Sequence, residues 1–147
     1  MIKYLPMNIN HVADVAKLEQ LCFSAPWSER SITSELTNPL SLWIVAVDED
    51  RLIGYVGSQS VMGEADMMNL AVCPEYRRKG IGRKLVEKLI VALKEKEVSC
   101  LLLEVRSENI AAIELYLQLG FVQVGRRPNY YTKPKDDALI LRKEWDV

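Results

Sequence analysis

The sequence predicts a mixed α/β fold in which one β-sheet contains both antiparallel and parallel strands. Two β-rich runs, "SLWIVAV" (41–47) and "LIGYVGSQSV" (52–61), are joined by the turn-like "DEDR", a pattern typical of an antiparallel hairpin. Farther along the chain, apolar strands alternate with helical patterns, which is typical of parallel strands joined by a helical crossover. Because the 147 residues contain no repeats, low-complexity tracts or linker-like segments, we expect one domain spanning residues 1–147.

Two helices are expected ahead of the hairpin. The first begins behind Asn10, the predicted N-cap, and has apolar residues at helical spacing. These residues are Val12, Val15, Leu18 and Cys22. The second helix is shorter and lies within "PWSERSITSELTN" (26–38), with Ser28 as its cap and Ile32 and Leu36 one turn apart.

A strand, a helix and another strand follow the hairpin. After the connection "MGEAD" (62–66), "MMNLAV" (67–72) predicts a third strand that is ended by Pro74. From Gly82 the pattern becomes helical, with an apolar stripe opposite charged residues. The stripe consists of Leu85, Val86, Leu89, Ile90 and Leu93. "SCLLLEV" (99–105) then predicts a buried strand.

The last third of the chain adds one helix and two strands. "NIAAIELYLQLG" (109–120) predicts a helix closed by Gly120 at the C′ position. "FVQVG" (121–125) and "DALILRKEW" (137–145) predict the final strands, and we expect the polar "RRPNYYTKPKD" (126–136) to be the connection between them.

The balance of charges disfavours nucleic acid as a partner. Lys and Arg total 19, Asp and Glu total 20, and the formal net charge is −1, whereas a dedicated nucleic-acid binder is normally clearly basic. The N-terminus has no apolar signal-peptide region, and no stretch approaches the ~18 apolar residues that a membrane span needs. We therefore expect a cytoplasmic protein without a membrane or nucleic-acid partner.

The cysteines predict neither a disulfide framework nor a metal site. Cys22, Cys73 and Cys100 are odd in number, far apart and without a CxxC pair, as in proteins of a reducing cytosol. A catalytic cysteine would need a base, and the only histidine, His11, falls in the first turn of the first predicted helix. We expect His11 to belong to the helix start, and we expect no metal.

The stretch "RRKGIG" (77–82) combines three cations with two glycines between a strand end and a helix start. Free backbone N–H groups and the positive end of the helix dipole make such a place an anion site. Gly80 and Gly82 would let the backbone approach a phosphate or pyrophosphate closely. The P-loop pattern is absent and the GxGxxG pattern is incomplete. The structural alternative is a tight turn with incidental surface charge.

These residues also carry a resemblance to the GNAT acetyltransferases. The acetyl-CoA motif of that family, R/Q-x-x-G-x-G/A, is matched by Arg77-Arg78-Lys79-Gly80-Ile81-Gly82, and the order of elements is similar over nearly the whole chain. The similarity is greatest to RimI-like enzymes, which acetylate the N-terminal alanine of a small-subunit ribosomal protein. The segments that carry it are "CFSAPWS" (22–28), "GEADMMNLAV" (63–72), "LEVRSENIAAIELYLQLGF" (103–121) and "RPNYY" followed by "DDA".

Two departures from RimI-like sequences lie on the substrate side. The chain has Asp136-Asp137 where such sequences commonly have Glu-Asp, and a compact "TKPK" precedes that pair. For the fold, the resemblance implies a mostly antiparallel sheet with a central parallel strand pair and flanking helices.

For the cofactor, the resemblance implies acetyl-CoA as the acetyl donor, CoA as the product and no metal. Leu70, Ala71 and Val72 would offer backbone groups to the pantetheine arm, and Asn109 would bond the cofactor. The pyrophosphate would be held by Arg78, Lys79, Gly80, Ile81, Gly82 and Arg83, behind Arg77 of the same motif. Without the resemblance, a helix N-cap beside Ser107 explains Asn109 equally well.

For the chemistry, the resemblance makes Glu104 the general base and Tyr116 the general acid that protonates the CoA sulfur. A backbone N–H near Val72 would polarise the carbonyl oxygen. Taken alone, Glu104 interrupts the apolar run "LLLEV", and an ion pair with Arg106 on the same strand face explains it structurally. Tyr116 alone is typical of a core tyrosine whose hydroxyl bonds a carbonyl.

The acceptor side is predicted from aromatic residues. Tyr130 and Tyr131, on a predicted loop, are explained equally well by packing and by walling a peptide groove. By analogy with the family, Trp27 would form the opposite wall, although alone it is typical of a core residue. The resemblance to RimI-like enzymes implies a protein or peptide N-terminus, from a small-subunit ribosomal protein, as the acceptor. The same chemistry on a protein lysine, a polyamine or an antibiotic amine is an alternative. A non-catalytic CoA-binding module is a further one, which the retained Glu104 and Tyr116 argue against.

Overall fold

The computed structural model describes residues 1–146 as a seven-stranded sheet with helices on both faces. The strands are β1 (Ile2–Pro6), β2 (Ser41–Asp48), β3 (Arg51–Val61), β4 (Glu64–Val72), β5 (Cys100–Arg106), β6 (Val122–Thr132) and β7 (Lys135–Glu144). The helices are α1 (Val12–Cys22), α2 (Glu29–Glu35), α3 (Ile81–Glu95) and α4 (Ile110–Gln118). Single 3-10 turns at Ile9–His11 and Pro74–Tyr76 precede α1 and α3.

The strand order is β1-β2-β3-β4-β5-β7-β6, and every neighbouring pair is antiparallel except β4 and β5. The expected hairpin is β2–β3, in which Trp43 pairs with Gly57. Helix α3 is the crossover that makes β4 and β5 parallel. The mixed, mostly antiparallel sheet with one central parallel pair is therefore confirmed.

The parallel pair is short, and this shapes the centre of the molecule. Residues 64–66 of β4 pair with residues 100–102 of β5, and no pairing continues beyond them in the described chain. In the register with β3, Gly57 faces Asn69 and Ser58 faces Met67, so β4 carries the extra residue Met68 as a β-bulge. A bulge bends its strand. The ends of β4 and β5 consequently diverge and leave a gap in the sheet.

Separate apolar clusters hold the helices to the two faces. The predicted stripe of α3 is buried against the sheet together with Tyr116 and Phe121 from the C-terminal part of the chain. Helices α1 and α2 cover the opposite face, where Trp43 stacks on Tyr55 with ring centroids 5.9 Å apart. An atom added at Gly57 would lie 2.4 Å from the Trp43 ring, so glycine is required at this close approach.

The helix ends agree with the sequence in two of three cases. Ser28 caps α2 by accepting a bond from the Ser31 N–H, and Gly120, at φ 94°, follows α4. The predicted cap Asn10 is wrong, because a 3-10 turn precedes α1 and Asn8 caps that turn instead. His11 belongs to this helix start, as expected, and its Nδ1 accepts the N–H of Asn8 at 3.0 Å.

Two predicted connections are instead strand. Only residues 62–63 separate β3 from β4, so most of "MGEAD" belongs to β4. Strand β6 continues through most of the polar stretch 126–136, and its register with β7 shifts between Arg127 and Tyr131, where Asn129 has φ 55°. Because β6 is an edge strand with exposed side chains, it lacks the apolar alternation that would have revealed it.

Within residues 1–146, none of the helices combines the length and the apolar character that crossing a membrane requires.

Candidate active site

A cleft of about 1040 Å³ lies where β4 and β5 diverge. Its walls are residues 66–70 of β4, residues 102–106 of β5, the segment after α1, helix α4 and the β6–β7 hairpin. Among the residues expected to act in catalysis or binding, those that line it are Trp27, Leu70, Glu104, Asn109, Tyr116, Tyr130 and Tyr131. The sheet gap thus gathers residues that are far apart in sequence.

Glu104 lies on β5 with a side chain 32% exposed, at the wall of the cleft. Its carboxylate is 3.8 Å from Nε of Arg127 on β6. The expected ion pair with Arg106 is wrong. Arg106 instead donates to the carbonyl oxygens of Lys133 and Pro134, at 3.1 and 2.7 Å. Within residues 1–146 this is the one ion pair of Glu104, and its partly exposed side chain lines the cleft.

Tyr116 projects from α4 to the inner end of the cleft. Its ring is buried edge-on against Phe121, and its hydroxyl lies 3.8 Å from Sδ of Met67 on β4. The predicted carbonyl partner is therefore replaced by a weak sulfur acceptor. Burial raises the pKa of Tyr116 above its ordinary value of 10.0, so the hydroxyl keeps its proton at neutral pH.

Aromatic residues line the outer part of the cleft. Tyr130 and Tyr131 are edge-to-face with centroids 5.0 Å apart, and they lie in strand β6 rather than on the predicted loop. Trp27 packs edge-on against Trp43 at 5.5 Å and also lines the cleft. Trp27 therefore combines the core contact and the wall position that the sequence left as alternatives.

The N-terminus of α3 has unpaired backbone donors. Gly80 is the N-cap at φ 78°, a left-handed conformation that favours glycine, and no side chain caps the helix. Lys84 N–H bonds to the Gly80 carbonyl at 3.0 Å, whereas the N–H groups of Ile81, Gly82 and Arg83 have no acceptor in the described chain. Together with the helix dipole, these three donors fit an anionic group.

Gly82 differs from Gly80 in its role. Its φ is not positive, and an added Cβ would lie 3.8 Å from both Val72 and Leu115, at ordinary contact distance. Leu115 also lines the cleft, so the N-terminus of α3 adjoins it even though residues 77–83 are not among its lining residues. Neither backbone conformation nor close packing within the described chain therefore requires glycine at position 82.

The cationic side chains of the loop are partly engaged. Arg77 donates to the Val72 carbonyl at 3.1 Å and contacts Sγ of Cys22, so it ties the loop to β4 and α1. Lys79 lies over the Tyr76 ring, and Arg83 contacts Gln118 at 3.5 Å. Arg78 has φ 62°. Arg77 is therefore held by contacts with β4 and α1 although it is exposed.

The remaining predicted cofactor residues surround the same place. Leu70 faces the cleft, whereas Ala71 is buried in the cluster under α1 and Val72 packs toward α3. Asn109 caps α4 by accepting the Ala112 N–H at 3.2 Å, and it also lines the cleft. The structural alternative for Asn109 is thus present, and its position leaves room for a ligand contact.

Sequence reasoning missed Glu19, a fully buried carboxylate on α1. One oxygen accepts a bond from Asn69 of β4, which lines the cleft. The other oxygen and the neighbouring Tyr55 hydroxyl have no hydrogen-bond partner of good geometry in the described chain. Burial raises the pKa of Glu19 above its ordinary value of 4.5, and the Asn69 bond offsets part of the rise. A charged residue within a helical apolar stripe was the available signal.

Comparison with known proteins identifies the family. The family model described as "Acetyltransferase (GNAT) family" matches residues 12–121. The chain belongs to the GNAT acetyltransferase family. It is accordingly an acetyl-CoA-dependent N-acetyltransferase, and the alternative of a non-catalytic CoA-binding module is not supported.

Several GNAT proteins are similar over nearly the full length. The ribosomal protein bS18-alanine N-acetyltransferase of Escherichia coli (strain K12) is 39% identical over 126 residues, covering 84% of each chain. The crystal structure of the Escherichia coli enzyme has a TM-score of 0.91 and 34% identity, over 100% of this chain and 96% of that one. Arabidopsis thaliana NAA60 in complex with acetyl-CoA has a TM-score of 0.89 at 19% identity, over 98% of both chains, and so shares the fold.

The buried Glu19 generates a prediction about stability. The pKa of the Glu19 carboxyl is higher in the folded protein than in the unfolded chain, so the unfolded chain loses the carboxyl proton at a lower pH. Between the unfolded and the folded pKa, the free energy of unfolding therefore falls as pH rises. Glu19→Gln lacks the titration. We therefore expect the free energy of unfolding of the variant, relative to the unsubstituted protein, to increase from about pH 4.5 upward. Urea denaturation between pH 4 and 8 measures this, and a pH-independent difference would contradict it.

Proposed function

We propose that this enzyme transfers the acetyl group of acetyl-CoA directly to the α-amine of an N-terminal alanine on a small-subunit ribosomal protein. The observation that carries the proposal is the cleft lined by Glu104, Tyr116 and the paired aromatic residues Tyr130 and Tyr131, beside the N-terminus of α3. The acceptor is supported by relatives with 34–39% identity that are named as alanine N-acetyltransferases of ribosomal protein S18.

The α3 N-terminus supplies the proposed cofactor contacts. The free N–H groups of Ile81, Gly82 and Arg83 would bind the pyrophosphate, because unpaired amides at the positive end of a helix dipole favour negative charge. Arg78 and Lys79 would add charge, and Gly80 gives the turn its shape. Leu70, Ala71 and Val72 would guide the pantetheine arm along the open edge of β4, with Asn109 opposite. Bound there, acetyl-CoA supplies the activated acetyl group.

Proton transfer is assigned to two residues. An α-amine has a pKa of about 7.7–8.0, so a base is needed to keep it unprotonated at neutral pH. Glu104 would accept that proton, directly or through water. Tyr116 would donate its hydroxyl proton to the departing sulfur, and its buried position keeps that proton available. A backbone N–H near Val72 would polarise the acetyl carbonyl.

The acceptor would enter along the aromatic wall. Tyr130 and Tyr131 line the cleft from β6, and Trp27 lines it from the segment after α1. A mixed aromatic and polar groove suits a peptide better than a polyamine, for which an acidic pocket would be expected.

The acceptor class is tested with matched peptides. We expect a peptide that begins with a free alanine to be acetylated at its α-amine. The same peptide with a blocked N-terminus and internal lysines should remain unmodified, as should spermidine. Mass spectrometry of the products identifies the modified nitrogen. Efficient lysine or polyamine acetylation would exclude an N-terminal acceptor and leave the family assignment intact.

The anion site is tested at Gly82. Gly82→Asp adds a carboxylate beside the unpaired amides, where it would compete with the pyrophosphate and repel it. We expect acetyl-CoA affinity to fall by about 100-fold or more, the range of two to three charge-assisted hydrogen bonds. Gly82→Ala adds only a methyl group at ordinary contact distance and serves as the steric control. Calorimetry measures both affinities. Normal acetyl-CoA binding by a folded Gly82→Asp variant would show that the loop is only a structural turn.

The two proton-transfer roles separate by pH. Glu104→Gln removes the base but keeps the shape, so turnover should fall by roughly two to four decades and recover partly at high pH, where free amine is abundant. Tyr116→Phe should lose turnover without recovery, because its missing proton belongs to the sulfur. The measurement is a pH–rate profile with acetyl-CoA affinity alongside, and we expect near-normal affinity in both variants.

Glu114→Gln, an exposed carboxylate on α4, controls for loss of charge near the site. Near-normal turnover in both Glu104→Gln and Tyr116→Phe would show that these residues are structural.

A further inference from the structure

The tip of the β6–β7 hairpin extends beyond the strand that supports it. Pairing between β5 and β7 ends at Arg106 and Ala138. Past this point the hairpin has only its own pairs, Tyr131 with Asp136 and Thr132 with Lys135, and the register break after Arg127 separates these from the rest of β6. Regular sheet pairing therefore does not fix the position of the tip, although the tip lines the cleft.

Arg106 binds that tip from outside the hairpin. Its guanidinium donates to the carbonyl oxygens of both turn residues, Pro134 at 2.7 Å and Lys133 at 3.1 Å. The same guanidinium lies 4.2 Å from the centre of the Tyr131 ring. A planar fork can make two parallel hydrogen bonds and stack on a ring at once, which a lysine ammonium cannot reproduce.

Asp136 makes the second attachment. It accepts the Ser107 hydroxyl at 2.6 Å, the Glu108 N–H at 3.3 Å and the Asp137 N–H at 2.7 Å. The Ser107 N–H also donates to the Asp137 carbonyl at 2.9 Å. The hydrogen bond from Ser107 keeps the pKa of Asp136 below its ordinary value, so this attachment is charged at neutral pH.

The two attachments connect the walls of the cleft. On one side is the turn after β5, which lies between Glu104 and the α4 cap Asn109. On the other is the hairpin tip that presents Tyr131. Neither Arg106 nor Asp136 belongs to the apolar clusters that hold the sheet and helices together. Their contacts therefore act mainly on the geometry of the cleft, while half-exposed charged contacts of this kind contribute little to global stability.

We propose that Arg106 and Asp136 are positioning residues for the acceptor, which hold the hairpin tip so that Tyr131 keeps a fixed place relative to Glu104. This inference rests on the proposed function, since the bound chain is taken to be an extended peptide N-terminus lying along the aromatic wall. Releasing the tip should weaken binding of that peptide while leaving the acetyl donor and the proton-transfer residues in place.

The test compares kinetic constants in Arg106→Gln, Arg106→Lys and Asp136→Asn. We expect Arg106→Gln to raise the acceptor KM about tenfold, as for loss of hydrogen bonds from a charged group, with kcat within about threefold. Acetyl-CoA affinity should be unchanged. Arg106→Lys should recover only part of the KM effect, because it restores charge without the fork. Asp136→Asn should also raise the acceptor KM, but by less than Arg106→Gln does.

Arg126→Gln is the matched control. Arg126 forms an ion pair with Asp137 at 2.7 Å in the same hairpin, but it does not line the cleft. We expect its acceptor KM to stay within about twofold of the unsubstituted protein. An unchanged KM in Arg106→Gln would overturn the proposal, as would a joint fall of kcat, acetyl-CoA affinity and melting temperature.

Hydrogen exchange separates this inference from the proposed function. We expect faster amide exchange across residues 129–135 in Arg106→Gln than in the unsubstituted protein, whichever amine the enzyme modifies. Unchanged exchange there would overturn the positioning role even if alanine peptides are acetylated. Failure of the unsubstituted protein to acetylate alanine peptides, with faster exchange in the variant, would instead overturn the acceptor assignment alone.

Discussion

The early end of the β4–β5 pairing is the constraint on which the site depends. Three residue pairs join the strands, after which the backbone groups on the facing edges of β4 and β5 no longer pair with each other, although each strand stays paired on its other side. The bulge at Met68 bends β4 away, so the gap is built into the register and does not arise from a missing side chain. An opening of this kind exposes backbone donors and acceptors along a strand edge, which is the chemistry that an extended ligand such as a pantetheine arm can satisfy.

Polar contacts tie the two sides of the gap to neighbouring elements. Glu19 reaches Asn69 from α1, and Arg77 reaches the Val72 carbonyl, so both ends of the diverging segment of β4 are tied to other elements. On the β5 side, the contacts of Arg106 and Asp136 do the same for the hairpin. These polar contacts restrain β4 and the β6–β7 hairpin independently of the apolar clusters, and so they help to keep the shape of the cleft.

The sequence was sufficient for elements with a strong period and for motifs with local chemistry. The stripe of α3, the β2–β3 hairpin, Ser28 and Gly120 all follow from spacing and capping rules that act within a few residues. The first part of β6 was predicted from "FVQVG" (121–125), but its continuation through residues 126–132 was not, because an edge strand does not need alternating apolar residues. The ion pair between Glu104 and Arg127 was not predicted, because strand pairing brings Arg127 close and spacing along the chain does not reveal such pairing. Asn8 replaced Asn10 because a 3-10 turn shifted the helix start by two residues.

The polar character of β6 also affects whether folded chains aggregate through this edge of the sheet. An edge strand offers unpaired backbone groups to any neighbour, and long, flat, apolar edges promote aggregation. Here Pro128 lacks an N–H to donate, Arg126 and Arg127 bring charge, and the irregularity at Asn129 breaks the flat ladder. The segment that shapes the wall of the cleft is therefore also a poor template for a foreign strand, and it protects the sheet against growth from that side.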